Sequence, residues 1–285
     1  DDAGREVRLA QPARRIVSLA PHLTELLFAA GAGGQVVGID AWSDYPPAAR
    51  GLTVVGDAQR LDLEAVSALR PDLVVAWRSG GNRAQVERLI ALGFPVFFSE
   101  PTRLDDIATT IERFGVLVAT PEVAATAAQT FRTQLDALRS RHASHAPVRV
   151  FVEIWDRPLV TVGGGHLVTR VIELCGGRNV FAALGALAPQ VSVEAVLAAN
   201  PQMIVAAGLT VSRPAWRDDW RRWPGIAAVS GGHLYEVPPE LLVRHTPRIL
   251  QGASLLCGYL QQVRGESHDP GRNGGNGQAR NPMRY

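Results

Sequence analysis

The sequence predicts an α/β protein of two lobes, each with a parallel-sheet core, bridged by one long α-helix. Three observations carry that expectation. Short runs rich in Val, Ile and Phe alternate with helix-like stretches along most of the chain, as in parallel strands joined by helical crossovers. One 15-residue segment occurs twice: residues 63–77 (LEAVSALRPDLVVAW) and 193–207 (VEAVLAANPQMIVAA) align without a gap and share seven identical positions, so one unit serves both halves. Between the copies, Thr120-Pro121-Glu122 reads as N-cap, N1 proline and acidic first turn, and opens a stretch without Pro or Gly to about Arg141.

The elements follow in chain order. Apolar runs at 16–19, 36–39, 73–76 and 96–98 are the expected strands of the first half. Runs at 148–154, 203–206 and 234–237, with a weaker one near 179–182, are those of the second. In each repeat copy a polar N-cap (Asp62, Ser192) precedes a helix that breaks before a proline (Pro71, Pro201) leading into a buried strand. The long helix places Val123, Phe131, Leu135 and Leu138 near one face, so it should pack along both lobes. At about 20 residues it would span about 30 Å, and such a rigid connection should hinge less than flexible strands. The expected divisions are an N-terminal lobe at 1–119, a connecting helix at 120–142, a C-terminal lobe at 143–263 and a tail at 264–285. The tail carries Gly, Asn, Pro and charge but almost nothing apolar to bury, so it should be disordered or an appended segment.

Composition narrows the function classes. In 285 residues, 29 basic against 27 acidic side chains leave a net charge of +2 with no basic run, which gives little support to nucleic-acid binding. No segment approaches 18 consecutive apolar residues, the length of a membrane span. The chain begins Asp1-Asp2 with no Met and no apolar targeting region, so a targeting segment has been removed or none existed. No GxxxxGK[ST], GxSxG, HExxH or strand-to-helix GxGxxG is present, and no acid–base pair or nucleophile with its base is visible. The protein is therefore read as a binding protein, not an enzyme, with no resident metal or cofactor.

In open α/β sheets ligands bind beyond the carboxyl ends of the strands, and here those ends are aromatic. Pro21 and His22 follow the first strand, Trp42 and Tyr45 the second, Trp77 and Arg78 the third; Trp155 ends the first strand of the second half. Pro238-Pro239-Glu240-Leu241-Leu242 follows the last strand and should lie on the same rim, with Arg244 close behind. Such a cleft suits a large, flat, partly apolar ligand whose polar edge meets Trp N–H and Tyr O–H groups. His22 either coordinates or donates to that ligand or is simply the first side chain of a helix. Trp216, Trp220 and Trp223 differ, since their i, i+4, i+7 spacing is that of a core stripe. His142 and His145 read as solvent-exposed loop residues. Gly163-Gly164-Gly165 either offers amides to an anion or makes a tight strand-to-helix turn. Glu64 and Glu194 hold the same first-turn position in the two copies; they either answer the helix dipole or form two acidic knobs for a two-fold symmetric partner with basic pockets. Cys175 and Cys257 are two buried free thiols or one long-range disulfide.

The run from Arg15 to Asn82, RIVSLAPHLTELLFAAGAGGQVVGIDAWSDYPPAARGLTVVGDAQRLDLEAVSALRPDLVVAWRSGGN, resembles the helical-backbone (class III) periplasmic binding proteins that feed ABC importers of metal chelates. SDYPP with AWRSGGN is similar to the cobalamin-binding branch, and the likeness continues through LCGGRNVF, APQVSVEAVLAANPQMIV and TPRIL to about Leu260. The resemblance implies a corrinoid, cobalamin, as transported ligand, held by Tyr45 and Trp77 from one lobe and by Trp155 and the Glu240 loop from the other. It implies a Cys175–Cys257 disulfide, docking of Glu64 and Glu194 on arginines of an ABC permease dimer with its ATPase subunits, and a periplasmic location, soluble or lipid-anchored. This chain has Ala188 before PQVS and no Trp at 57–59, where that branch carries tryptophans, and Leu241-Leu242 in place of an aromatic pair. A haem or ferric-siderophore carrier on the same fold is the alternative. Haem-binding relatives carry a Tyr ligand where Asp57-Ala58 stands, and Arg78 with Arg244 would face an anionic siderophore.

Overall fold

A computed structural model describes residues 1–142, 146–208 and 215–266. The elements are β1 (Ile16–Ser18), α1 (Pro21–Ala29), β2 (Val36–Ile39), β3 (Thr53–Val54), α2 (Leu63–Ala68), β4 (Leu73–Trp77), α3 (Arg83–Ala91), β5 (Val96–Ser99), α4 (Leu104–Leu117) and α5 (Pro121–His142). They continue with β6 (Val148–Glu153), β7 (Trp155–Asp156), β8 (Leu159–Val160), α6 (Leu167–Leu174), β9 (Gly177–Asn179), α7 (Val193–Ala199), β10 (Met203–Ala206), α8 (Trp216–Arg221), α9 (Ala227–Ser230), β11 (Leu234–Glu236), α10 (Pro239–Leu242) and α11 (Ile249–Glu266). A parallel sheet in the order β3-β2-β1-β4-β5 forms the first half, and a parallel sheet in the order β11-β10-β6-β9 the second. β7 and β8 make a small antiparallel hairpin.

Strand alternation explains the layering. In β4, Leu73 and Val75 face the central core while Val74 and Ala76 face an outer one; in β10, Met203 and Val205 face the center while Ile204 and Ala206 face Trp216 and Trp220. The central core is one continuous apolar cluster, running from Leu23 and Ile107 through Phe131 and Leu135 of α5 to Val150 and Leu256. The long helix is thus packed into both halves. Burying Phe131 alone is worth about 2 kcal/mol.

Its buried stripe is Ala124, Ala128, Phe131, Leu135, Leu138 and His142, whereas Val123 is exposed. The expected face is corrected by about a third of a turn. Ala124 takes the inner position because α4 comes so close at Gly115 that a side chain there would collide with the Ala124 methyl. His142, expected on the surface, is buried as the last member of that stripe; His145 lies outside the described residues.

The duplicated unit folds alike in both places. Asp62 accepts hydrogen bonds from the amides of Glu64 and Ala65, and Ser192 from that of Ala195. Each copy ends on a left-handed residue before its proline, Arg70 (φ 46°) and Asn200 (φ 42°). An arginine leading into the neighbouring strand ties off each helix, Arg15 on the Leu69 carbonyl and Arg149 on the Asn200 carbonyl. From Asp62 to Arg70 and from Ser192 to Asn200, burial follows the same residue-by-residue pattern.

The weak strand expected at 179–182 lies instead at Gly177–Asn179. Asn179 stops it: its amide donates to the Val162 carbonyl and Thr169 hydroxyl while its oxygen accepts from the Phe181 amide, turning the chain. Residues 264–266, the start of the expected tail, belong to the last helix, since α11 runs through Glu266, and 267–285 lie outside the described residues. Cys175 and Cys257 form a disulfide that joins the end of α6 to α11.

Candidate functional site at the carboxyl ends of the strands

In the first sheet the chain order reverses between β1 and β4, so the crevice of an open α/β sheet should open where these two strands end. Pro21 and His22 leave β1 there and Trp77 ends β4; the His22 and Trp77 rings meet edge to face with centroids 5.3 Å apart. Pro21 sits at the start of α1, where its missing N–H costs nothing. The second half closes onto the same place. His245, on the segment between α10 and α11, lies 5.7 Å from His22 and 6.2 Å from Trp77, and His166 lies 5.7 Å from His245 on the other side. Trp77 donates its Nε1–H to Glu100 (3.1 Å), which also accepts from the Ser79 amide.

Burial makes these imidazoles neutral. His22 is lowered to about 3, by desolvation first and the nearby Arg244 charge second. His166 is lowered to about 4 by desolvation, and His245 is lowered well below the usual histidine range by desolvation and its two histidine neighbors. His166 also caps α6, its Nδ1 accepting from the Val168 amide.

Beside the rings lies a charged bridge between the halves. Glu25 of α1, 4% exposed, accepts from Arg248 at 2.6 and 2.8 Å and from Arg244 at 3.3 Å. Arg244 reaches Asp44 at 2.5 Å and the Trp42 carbonyl at 3.3 Å. Arg248 stacks over the Tyr45 ring, 4.0 Å from its centroid. Burial would raise the Asp44 carboxyl, but its Arg244 hydrogen bond and charge prevail and hold it below the usual range. Burial raises Asp40 to about 6.

The structure therefore gathers His22, Tyr45, Trp77 and Arg244 of the expected residues. Trp42 stands 68% exposed at the rim. Arg78, exposed, lines an open recess of about 420 Å³ with Ser79, Gly80, Arg83, Glu100 and, from the other half, Leu187. Glu240 and Leu241 are half-buried on α10, with the Glu240 charge acting on Arg248. Trp155 is half-exposed in the β7–β8 hairpin, donating to the Arg157 carbonyl, and the ring contacts that gather the histidines do not extend to it. The glycine run is a turn: Gly163 and Gly164 pack on the backbone of 182–186 with no room for a Cβ, and their amides bond the Leu187 and Leu184 carbonyls. Trp216 and Trp220 are core residues whose indoles donate to Glu236 and Glu153, while Trp223 departs from the stripe and stands 40% exposed.

Sequence reasoning missed Glu25, Arg248, His166 and His245. A Glu inside the apolar stretch HLTELLFAA was a signal for Glu25, because a carboxylate on a buried helix face needs a cation. Glu64 and Glu194 stand exposed at the starts of α2 and α7. The backbone amide and the Ser192 hydroxyl hold the Glu194 carboxyl below its usual range.

The family model described as periplasmic binding protein matches residues 16–241, from β1 to the α10 loop. The chain belongs to the periplasmic binding protein family. Among relatives of this binding protein, a vitamin B12-binding protein of Vibrio cholerae is 38% identical over 251 residues, 88% of this chain and 90% of the relative. A vitamin B12-binding protein of Yersinia pestis is 37% identical over 254 residues, 89% of each chain. The crystal structure of the periplasmic vitamin B12 binding protein of Vibrio cholerae superposes with a TM-score of 0.83 at 38% identity, covering 89% of this binding protein and 98% of the other. Its fold is thus the class III periplasmic binding protein fold. Among the described residues no helix is long and apolar enough to cross a membrane.

Proposed function

We propose that the protein captures a corrinoid, cobalamin, between its lobes in the periplasm and delivers it to an ABC importer. The observation that carries this reading is the identity of more than a third, over nearly nine-tenths of the chain, to proteins named for vitamin B12 binding. The site's chemistry supports it. Trp77, Tyr45 and Trp42 offer flat apolar surface to a corrin, and Glu100, Ser79 and Gly80 supply polar groups for its amide-bearing edge. Trp155 of the β7–β8 hairpin and Glu240 and Leu241 of α10 complete the contacts from the second lobe.

The charge state of the cleft favors a corrinoid over an anionic siderophore. Arg244 and Arg248 are both engaged by Glu25, and Arg244 also by Asp44, so neither is an unpaired cation waiting for a ligand carboxylate or catecholate. Glu64 and Glu194 are the docking knobs for the permease dimer in this reading, and the disulfide suits an oxidising compartment. The lobes at 1–119 and 143–263 flank the cleft and the helix at 120–142 joins them.

Calorimetric titration with cyanocobalamin, haemin and a ferric siderophore in parallel tests the proposal. Tight one-to-one binding of cyanocobalamin alone is the expected result. Binding of haemin or siderophore without cyanocobalamin would keep the fold and reject the ligand.

A further inference from the structure

Resting on that corrinoid reading, the geometry points to His22 as an axial nitrogen ligand for the cobalt of a bound corrinoid. His22 stands where β1 ends, at the reversal point of the sheet, with Trp77 on one side and His245 of the opposite lobe on another. It is 6% exposed, and its Nε2 has no hydrogen-bond partner. A buried imidazole nitrogen left in this state lacks the hydrogen bond that water would give it, a deficit that coordination to a metal removes. Desolvation keeps the ring neutral at physiological pH, so the lone pair is free to bind.

His22, His245 and His166 form a chain of ring contacts with separable roles. Nδ1 of His166 is engaged as the cap of α6. His245 also carries a buried nitrogen without a partner, but it is Nδ1, the ring atom next to its own backbone. In His22 the free atom is Nε2, the outer nitrogen, the one farther from its own backbone. No trio of described His, Cys, Asp or Glu side chains converges to hold a bare cation. A corrinoid makes no such demand, because its ring already supplies four nitrogens to the cobalt and one imidazole completes an axial position.

The step is a ligand exchange. The Nε2 lone pair forms the Co–N bond as an axial water departs; cobalt keeps its oxidation state and no proton is transferred. A corrinoid with a labile axial water can undergo it, whereas cyanocobalamin, with both axial positions filled, cannot.

The test titrates the full chain with diaquocobinamide, which lacks a nitrogen base of its own, and follows its visible absorption. Saturation should shift the bands to those of an imidazole-ligated corrinoid, and His22→Ala should abolish the shift. Bound diaquocobinamide with unmoved bands overturns the assignment, as does a shift that survives in His22→Ala. Independently of any variant, cob(II)inamide bound to the unmodified chain should show an electron paramagnetic resonance signal split by one axial nitrogen; an unsplit signal also overturns it. Cyanocobalamin titrated alongside separates the two readings. If it binds while the bands stay unmoved, the corrinoid carrier stands and the axial ligand falls; if no corrinoid binds, both fall.

Discussion

Trp77 is held edge-on to His22 and hydrogen-bonded to Glu100, so its ring is fixed before a ligand arrives. Trp77→Ala should weaken corrinoid binding by about 1 to 3 kcal/mol, the range for an aromatic anchor, read as the shift in the dissociation constant. An unchanged constant would remove Trp77 from the site. Glu25 has a different part. It is the common partner of Arg244 and Arg248, and Glu25→Gln should lower unfolding free energy by about 2 to 3 kcal/mol, since it leaves two partly buried guanidiniums short of a counter-charge. Denaturant titration of the variant at neutral pH checks this. The buried histidines add a pH dependence of known sign. Their folded pKa values lie below the ordinary 6.5, so below that value the unfolded chain binds protons that the folded one excludes. Stability should fall as pH drops from 6.5 toward 4. Asp40, raised to about 6, acts the other way between 3.8 and 6, because its folded form keeps the proton longer. Three histidines against one carboxyl leave a net loss of stability as pH falls through 5. A thermal midpoint that stays level from pH 7 to pH 4.5 would contradict the burial of the three rings.

Between residue and fold, the repeat shows how much the sequence makes legible. The caps Asp62 and Ser192, the helix breaks before Pro71 and Pro201 and the strands after them follow from local chemistry, and all stand in the structure. Asp62→Ala and Ser192→Ala should each cost about 1 kcal/mol, measured by chemical denaturation, and the two should add because the caps lie in different lobes. Tertiary fit decided the rest. The face of α5 shifts from Val123 to Ala124 because Gly115 brings α4 so near, and a period count carries no record of a neighbour's glycine. The site was readable in the same proportion. Strand ends gave His22, Tyr45 and Trp77, since position after a strand is local information. Arg248, Glu25 and His245 meet only after the halves close, across more than two hundred residues for Arg248 and Glu25, and no local pattern announces that meeting.

For the whole molecule, the continuous core through α5 and the Glu25–arginine bridge both oppose free hinging. Small-angle scattering should therefore show little change in dimensions on ligand addition, and a large closure would contradict this. The Cys175–Cys257 disulfide spans 82 residues of the second half. Cys175→Ser with Cys257→Ser should lower unfolding free energy by about 4 kcal/mol in the chain-entropy account, measured against the oxidised parent. Charge reversal at both Glu64 and Glu194 should leave cyanocobalamin affinity intact and abolish uptake in a transport assay; normal uptake would reject their docking role.

The matched burial of the two repeat copies has a further consequence for that encounter. A carrier whose two ends present the same helix start and the same carboxylate can meet a two-fold receptor in either of two orientations half a turn apart. Under the proposed docking of Glu64 and Glu194 both settings are productive, so arrival would not require the carrier to distinguish left from right. Half of the rotational search would then be removed at no cost in selectivity, and the statistical factor would fall on the association rate and leave dissociation untouched.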